Sequence, residues 1–310
     1  MNATRDVLGH AEARAALRAL VRAGGPHTLL LAGPDGVGRR PVARWLAAAL
    51  NCQAPDVDAR PCGACPSCRA LAAGEHPDVR EVAPSQITRS GRQRRQLEIT
   101  IDQLVPRPNA DPDPLGPWLE GRPRYARRVG IIDHADALNV SAANAFLKML
   151  EDPPAWASIV LIATGPEALL PTVASRCTTV RLGAVDVGMF AGMERHPAYR
   201  LGLPGPLVRA RQEGAAYAAD QEDVDRLIDA LGGTLQEALD AAGALEKRLE
   251  KAEGGAPFTL LREGLRGLPA PTYAVTLDAV ERCERALEAY AHPGLALTAL
   301  TLDLRAALRT

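Results

Sequence analysis

Three groups of residues have types and spacings that imply specific chemistry. The first is Gly33-Pro34-Asp35-Gly36-Val37-Gly38, followed by Arg39 and Arg40. A glycine-rich turn between a strand and a helix cradles phosphate with backbone N–H groups. A nucleotide-hydrolysing loop of this kind adds a lysine for the β- and γ-phosphates and then a Ser or Thr hydroxyl for Mg²⁺. Arginine stands at both positions here. Arg39 keeps a charge that can touch a phosphate, whereas Arg40 has no acceptor and cannot ligate a metal. Gly33, Gly36, Gly38 and Arg39 are thus either a nucleotide cradle or a plain strand-to-helix turn, and the sequence leaves both open.

The second group is Asp133-His134, at the end of the apolar run "GII". ATPases of this layout place Asp there to hold the metal through its shell and then Glu to position the attacking water. Histidine, about half neutral near pH 6.5, is a poor copy of that carboxylate. Losses at two independent positions predict a chain without hydrolytic activity of its own. The third group is Cys52, Cys62, Cys65 and Cys68, spaced C-x9-C-x2-C-x2-C, with Cys177 and Cys283 standing apart. Four thiolates suit tetrahedral zinc and leave no open position for water, so a structural zinc site is expected. Disulfides, the competing reading, are disfavoured in a reducing cytosol.

These groups need elements to hold them. Helical periodicity runs from 6 to 23 and is stopped by Gly24-Gly25-Pro26, after which His27–Ala32 reads as a strand and the helix beyond the glycine loop reaches Leu50. Val79–Val82, Val129–Ile132 and residues 158–164 read as further strands, with a helix over Ser141–Glu151 stopped by Pro153-Pro154. Strands alternating with helices predict a parallel sheet with helical crossovers. Beyond about residue 183 the pattern is helical, with breaks at 202–206, 254–257 and 267–271. The fold class read from this is an α/β domain followed by all-helical domains.

The chain has 310 residues, 47% of them apolar, and a net charge of −1. That is enough for two or three domains with sizeable cores. No apolar run reaches the roughly 18 residues of a membrane span, and the first 25 residues lack a secretory pattern, so a cytoplasmic protein without membrane partners is expected. Lysine occurs only at 148, 247 and 251, so nearly all positive charge is arginine. Two dense groups, Arg89, Arg92, Arg94 and Arg95, then Arg122, Arg124, Arg127 and Arg128, are either DNA-phosphate contacts or solvated loop charge.

From 139 to 177 the chain reads "NVSAANAFLKMLEDPPAWASIVLIATGPEALLPTVASRC". This resembles the bacterial DNA polymerase III clamp-loader subunits of the AAA+ class, whose stretch runs AANALLKTLEEPP, a strand and an SRC triplet. "VLGHAEARAALRAL", "HTLLLAGPDGVG", the cysteine cluster followed by "HPDV", and "AHPGLALTALTLDL" agree with it. The resemblance implies an AAA+ P-loop-like domain over 1–182 with a zinc module at 52–68, a helical lid over 183–216 and a helical collar over 217–310. It further implies that Ser175-Arg176-Cys177 presents Arg176 as an arginine finger to ATP on a neighbouring subunit. The degenerate glycine loop together with an intact SRC triplet points, within that family, to the member that does not hydrolyse ATP. Implied partners are gamma/tau-type and delta subunits, a sliding clamp and primer-template DNA. Arg209, in "GLPGPLVRAR", is either the remnant of a nucleotide-sensing arginine or a helix-surface charge. Two alternatives remain at this stage: an active AAA+ ATPase, and a zinc-bearing nucleic-acid-binding module acting alone.

Overall fold

A computed structural model of the chain describes residues 7–87, 93–106, 114–191, 193, 197–213, 215–249, 256–288 and 291–309. They form two compact units, one of Met1–Met189 with Gly202–Gly205, the other of Phe190–Leu201 with Pro206–Thr310.

In the first unit the elements run α1 (Ala11–Arg22), β1 (Thr28–Ala32), α2 (Arg39–Asn51), α3 (Pro66–Ala72), β2 (Val79–Val82), β3 (Ser85–Ile87), β4 (Gln93–Glu98), α4 (Ile101–Leu104), α5 (Leu115–Glu120), β5 (Arg128–Ile132), α6 (Val140–Glu151), β6 (Ala157–Ala163), α7 (Pro171–Ala174) and β7 (Thr178–Arg181). Five strands make a parallel sheet in the order β2-β5-β6-β1-β7, and β3 pairs with β4 in a separate antiparallel ribbon. Every residue of β1 and β6 is buried. Strands covered on both faces read as unbroken apolar runs, which is why "TLLLA" and "ASIVLIA" lie at the centre. The register pairs Ala32 with Ala163 and Ile132 with Leu161, so the carboxyl ends of β1, β5 and β6 lie together. That edge is where open α/β sheets hold ligands, and it receives both the glycine loop and Asp133.

Below the sheet, α6 packs Ala142, Ala143, Phe146 and Leu150 into a core with Leu30, Leu115, Ile132, Ile159 and Val173. Its start is fixed by Asn139, whose side chain accepts from the Ala142 N–H at 2.8 Å. Two departures from the sequence reading occur near the helices. The first helix begins at Ala11 rather than near residue 6, because Gly9 and His10 both take positive φ (66° and 55°). The cysteine segment contains α3, capped by Cys65, whose sulfur accepts from the Cys68 N–H.

The second unit is helical among its described residues: α8 (Pro197–Arg200), α9 (Pro204–Glu213, entering it at Pro206), α10 (Ala215–Leu231), α11 (Leu235–Leu249), α12 (Ala256–Leu265), α13 (Ala270–Glu288) and α14 (Pro293–Leu308). Val224, Leu227, Leu245, Leu261, Val280, Leu297, Leu300 and Leu304 form its core. Buried Arg305 donates to the carbonyls of Ala230, Leu231, Gly233 and Thr234, closing the electronegative end of α10. Glu263 on α12 is also buried, and its Oε2 has no hydrogen-bond partner. Burial pushes its carboxyl up to about 7, against the pull of Arg266 and Arg209. Among the described residues no helix is long and apolar enough to cross a membrane.

Candidate functional site

The glycine loop has the backbone its composition calls for. A Cβ on Gly33 would sit 2.4 Å from the Leu182 carbonyl oxygen, and Gly38, the residue before α2, has φ 106°, so neither position takes an ordinary L side chain without strain. Partners that the sequence did not reveal pin the loop. The His10 ring donates from Nε2 to the Val37 carbonyl at 2.8 Å, and the Gly205 N–H donates to the Gly36 carbonyl at 2.8 Å. Arg39 folds back onto Asp35 of the same loop, is 7% exposed, and keeps Nη1 buried without a hydrogen-bond partner.

Arg40 points along the sheet edge. Its guanidinium donates from Nε to Glu81 Oε2 at 2.8 Å, lies 2.7 Å from the same oxygen through Nη2, and sits 3.6 Å from Asp133 Oδ2. Arg44, one helical turn on, pairs with the other oxygen of Glu81. Two guanidinium groups therefore face two carboxylates that are only 17% and 13% exposed, Glu81 at the end of β2 and Asp133 after β5. The charges cancel with no ion required. A cation placed here would meet Arg40 at about 4 kcal/mol per unit charge at 4 Å and effective dielectric 20, an upper figure because Arg40 is half exposed. His134 follows in the left-handed region (φ 52°), with its N–H donating to Asp133 Oδ1 at 3.1 Å.

The four cysteines come together: the sulfurs of Cys52, Cys62, Cys65 and Cys68 all lie within 4.8 Å of one another. A tetrahedron with zinc–sulfur bonds of 2.3 Å has edges of about 3.8 Å, so the cluster needs only a small contraction to hold an ion. Backbone N–H groups point at the sulfurs, Cys62 to Cys52 at 3.3 Å, Cys65 to Cys62 at 3.3 Å and Cys68 to Cys65 at 3.4 Å. Such donors stabilise thiolate charge and orient metal ligands. Donation from Ala64 and Cys65 brings Cys62 down to about 6, while burial pushes the Cys52 and Cys68 thiols up. The residues therefore fit a metal such as zinc, held between the end of α2 and α3.

A buried polar network fastens this module to the sheet. Ser67 on α3 accepts from His76 Nε2 at 2.9 Å, because His76 Nδ1 already accepts the Asp78 N–H at 3.0 Å. Asp78 is fully buried and accepts the N–H groups of Arg124 and Tyr125 at 2.8 and 2.6 Å, with Arg128 Nε 3.7 Å away. Although Ser, His and Asp are adjacent, they are no hydrolytic triad: the carboxylate faces backbone amides rather than the imidazole. Burial lowers the His76 pKa despite Asp78, consistent with a neutral ring. Asn51 accepts the N–H groups of Ala126 and Arg127 and completes the hold on the 124–128 loop.

That loop changes the reading of the second arginine cluster. Arg127 donates to Ser158 Oγ and to the carbonyls of Gly24 and Ala157, Arg128 stacks on Trp118 at 4.6 Å, and Arg122 stacks on Trp156 at 4.4 Å. Three of the four side chains are thus engaged within the fold rather than being plain solvated charge. In the first cluster Arg89 and Arg92, and the side chains of Arg94 and Arg95, lie outside the described residues. Arg209 is exposed on α9, and its charge acts on Glu263.

The SRC triplet occupies the turn between α7 and β7, and its members divide the work. Ser175 Oγ donates to the Thr172 carbonyl at 3.3 Å and tightens the turn, while Cys177 packs against the core and donates to the Val173 carbonyl at 3.2 Å. Burial raises the Cys177 thiol to about 11, so it stays protonated. Arg176 turns outward, its side chain 32% exposed, and pairs with Glu151 at the end of α6.

The family model described as DNA polymerase III, delta subunit, matches residues 11–186, more than half of the chain. The chain belongs to that family. It is 38% identical to the DNA polymerase III subunit delta′ of Pseudomonas aeruginosa over 156 residues, 50% of this chain and 43% of that protein. Over 154 residues it is 31% identical to the subunit delta′ of Bacillus subtilis, covering 50% of this chain and 41% of the relative. A third match, 29% over 253 residues, is to subunit tau of Escherichia coli, with 76% of this chain and 36% of tau aligned. The match spans less than half the length of each relative. Among solved structures, a DNA polymerase III gamma subunit-related protein of Thermotoga maritima superposes with a TM-score of 0.54 at 19% identity, over 94% of this chain and 98% of that one, which shows a shared fold. The parallel α/β unit followed by helices is thus that of the AAA+ clamp-loader family.

Proposed function

We propose that this chain is a delta prime-type subunit of the DNA polymerase III clamp loader that does not hydrolyse ATP, braces a ring of AAA+ neighbours and lends Arg176 to ATP bound by the adjacent subunit. The observation that carries the first part is Arg40, seated between Glu81 and Asp133 where a hydrolysing loop needs a hydroxyl and Mg²⁺. With those carboxylates neutralised by arginine, the sheet edge has neither a metal ligand to spare nor a carboxylate at 134 to position water. The second part is supported by the partly exposed Arg176 on a turn tightened by Ser175 and Cys177, whose side chains donate to the Thr172 and Val173 carbonyls. A planar, permanently charged fork at a neighbour's γ-phosphate is worth about 10³ to 10⁵ in rate.

Within this reading the chain is divided at about 182 and 216 into an AAA+-like domain with its zinc module, a lid and a collar. Leu295 and Leu302, seven residues apart on α14 and 72% and 47% exposed, give the collar an apolar stripe for a neighbouring subunit. Zinc in the cysteine cluster is structural, with four sulfurs filling its coordination shell. A DNA-binding module acting alone is less well supported, because Arg127 and Arg128 are committed within the fold and the net charge is −1.

The test is ATP hydrolysis by the reconstituted complex with clamp and primed DNA, wild type against Arg176→Ala, beside the isolated chain. A silent isolated chain and a sharp loss in the assembled variant are expected. Mg²⁺-dependent hydrolysis by the isolated chain would refute the first part, and unchanged turnover in the variant complex would refute the second.

A further inference from the structure

We infer that Glu151 is a positioning residue for Arg176: it grips one edge of the guanidinium so that the outer end, between Nη1 and Nη2, is presented to a phosphoryl oxygen of the neighbour's nucleotide. The inference rests on the arginine-finger reading. Both Nε and Nη2 of Arg176 donate to the same oxygen, Glu151 Oε1, the first at 2.7 Å. On the other side Nη1 donates to the Thr172 carbonyl at 2.7 Å, with Ser175 Oγ at 3.4 Å. A guanidinium carries five N–H groups. Three are committed to Glu151 and Thr172, which fixes the plane and the rotation of the group. The remaining N–H of Nη2 and the one that Nη1 shares only weakly with Ser175 form a fork at the outer end.

Both anchors are themselves rigidly placed. Glu151 is the last residue of α6, a helix capped by Asn139 and buried through Phe146 and Leu150, and Thr172 lies on α7, whose Val173 is in the same core. The grip therefore sets the fork relative to the sheet and not merely to the turn. Its partners are 32% and 50% exposed, so the ion pair adds little to folding stability. Pre-orienting the charge is where such a pair has leverage, since a displacement of about 1 Å at a reacting group can cost about 100-fold in rate.

In the reaction served, a water oxygen bonds to the γ-phosphorus as the bond to the bridging oxygen of ADP breaks. ADP leaves, and the proton from water goes to the phosphate released. The fork meets the charge on the equatorial oxygens, so its orientation bears on kcat more than on ATP binding.

Steady-state ATPase assays of the reconstituted complex with clamp and primed DNA, using Glu151→Ala, Glu151→Gln, Arg176→Ala and the Ala/Ala double variant, test this. Glu151→Ala should lower kcat about tenfold with the KM for ATP within about twofold. Glu151→Gln should recover most of the rate, because its carbonyl oxygen still accepts both bonds. The double variant should be no slower than Arg176→Ala. If Arg176→Ala is slow while Glu151→Ala turns over normally or faster, the role of Glu151 is overturned and the finger stands. If Arg176→Ala is itself unaffected, the finger reading fails and takes this inference with it. Equal slowing by Glu151→Ala with and without Arg176 would assign the loss to structure and also overturn it.

Discussion

Glu263 gives a sharp test of the helical unit, because its carboxyl is buried without a hydrogen-bond partner for Oε2. Its pKa in the folded chain, about 7, lies above the ordinary value of 4.5. The folded state therefore holds a proton that the unfolded chain releases, and stability falls as pH rises from about 4.5 to 7. A shift of roughly 2.5 units at 1.36 kcal/mol each corresponds to about 3 kcal/mol lost above pH 7. Glu263→Gln removes the ionisation while keeping the shape, so it should be about 3 kcal/mol more stable than wild type at pH 8.5 and nearly equal at pH 4.5. Urea unfolding across that range measures it, with helical circular dichroism following the second unit. Trp45, Trp118 and Trp156 all lie in the first unit, so their fluorescence is an internal control whose midpoint should not move. A stability difference independent of pH would refute the reasoning. So would a less stable variant at pH 8.5, because Arg209 and Arg266 would then outweigh the burial of the carboxylate.

Two further outcomes are expected. The purified chain should carry close to one zinc per molecule, and Cys65→Ser should abolish that stoichiometry and lower the tryptophan-monitored melting transition; full metal content in the variant would remove Cys65 from the site. Asp78→Ala should cost about 3 kcal/mol in denaturant unfolding, because the N–H groups of Arg124 and Tyr125 lose their acceptor in a buried place. A cost below about 1 kcal/mol would mean that water replaces the carboxylate there.

The central strands were legible because complete burial leaves an unbroken apolar run, and residues 158–164 as read differ from β6 by one position. Strand β7 was not, since "TTVR" is largely exposed and pairs with only one neighbour, so it carries neither an apolar run nor alternation. The cysteine cluster was visible from spacing alone. Its attachment was not: only the fold brings Ser67, His76, Asp78 and the 124–128 loop together. At the glycine loop the missing lysine and hydroxyl were plain in the sequence. The partners that Arg40 takes in their place, Glu81 from a distant strand and Asp133, could not be inferred from neighbours in the chain. Arg176 was singled out by the triplet, whereas Glu151, 25 positions earlier, has no local signal at all.

The pairing of Arg40 with Glu81 and Asp133 also constrains how this chain can change by mutation. Putting a hydroxyl at 40 removes the cation nearest Asp133 before any metal is held, and leaves Glu81 with Arg44 alone. Placing lysine at 39 leaves Arg40 beside Asp133 and Asp35 without its guanidinium. Because Arg40 and Arg44 share Glu81, and Arg40 also meets Asp133, the effects of exchanging these side chains are expected to be coupled rather than additive, as for neighbours in direct contact.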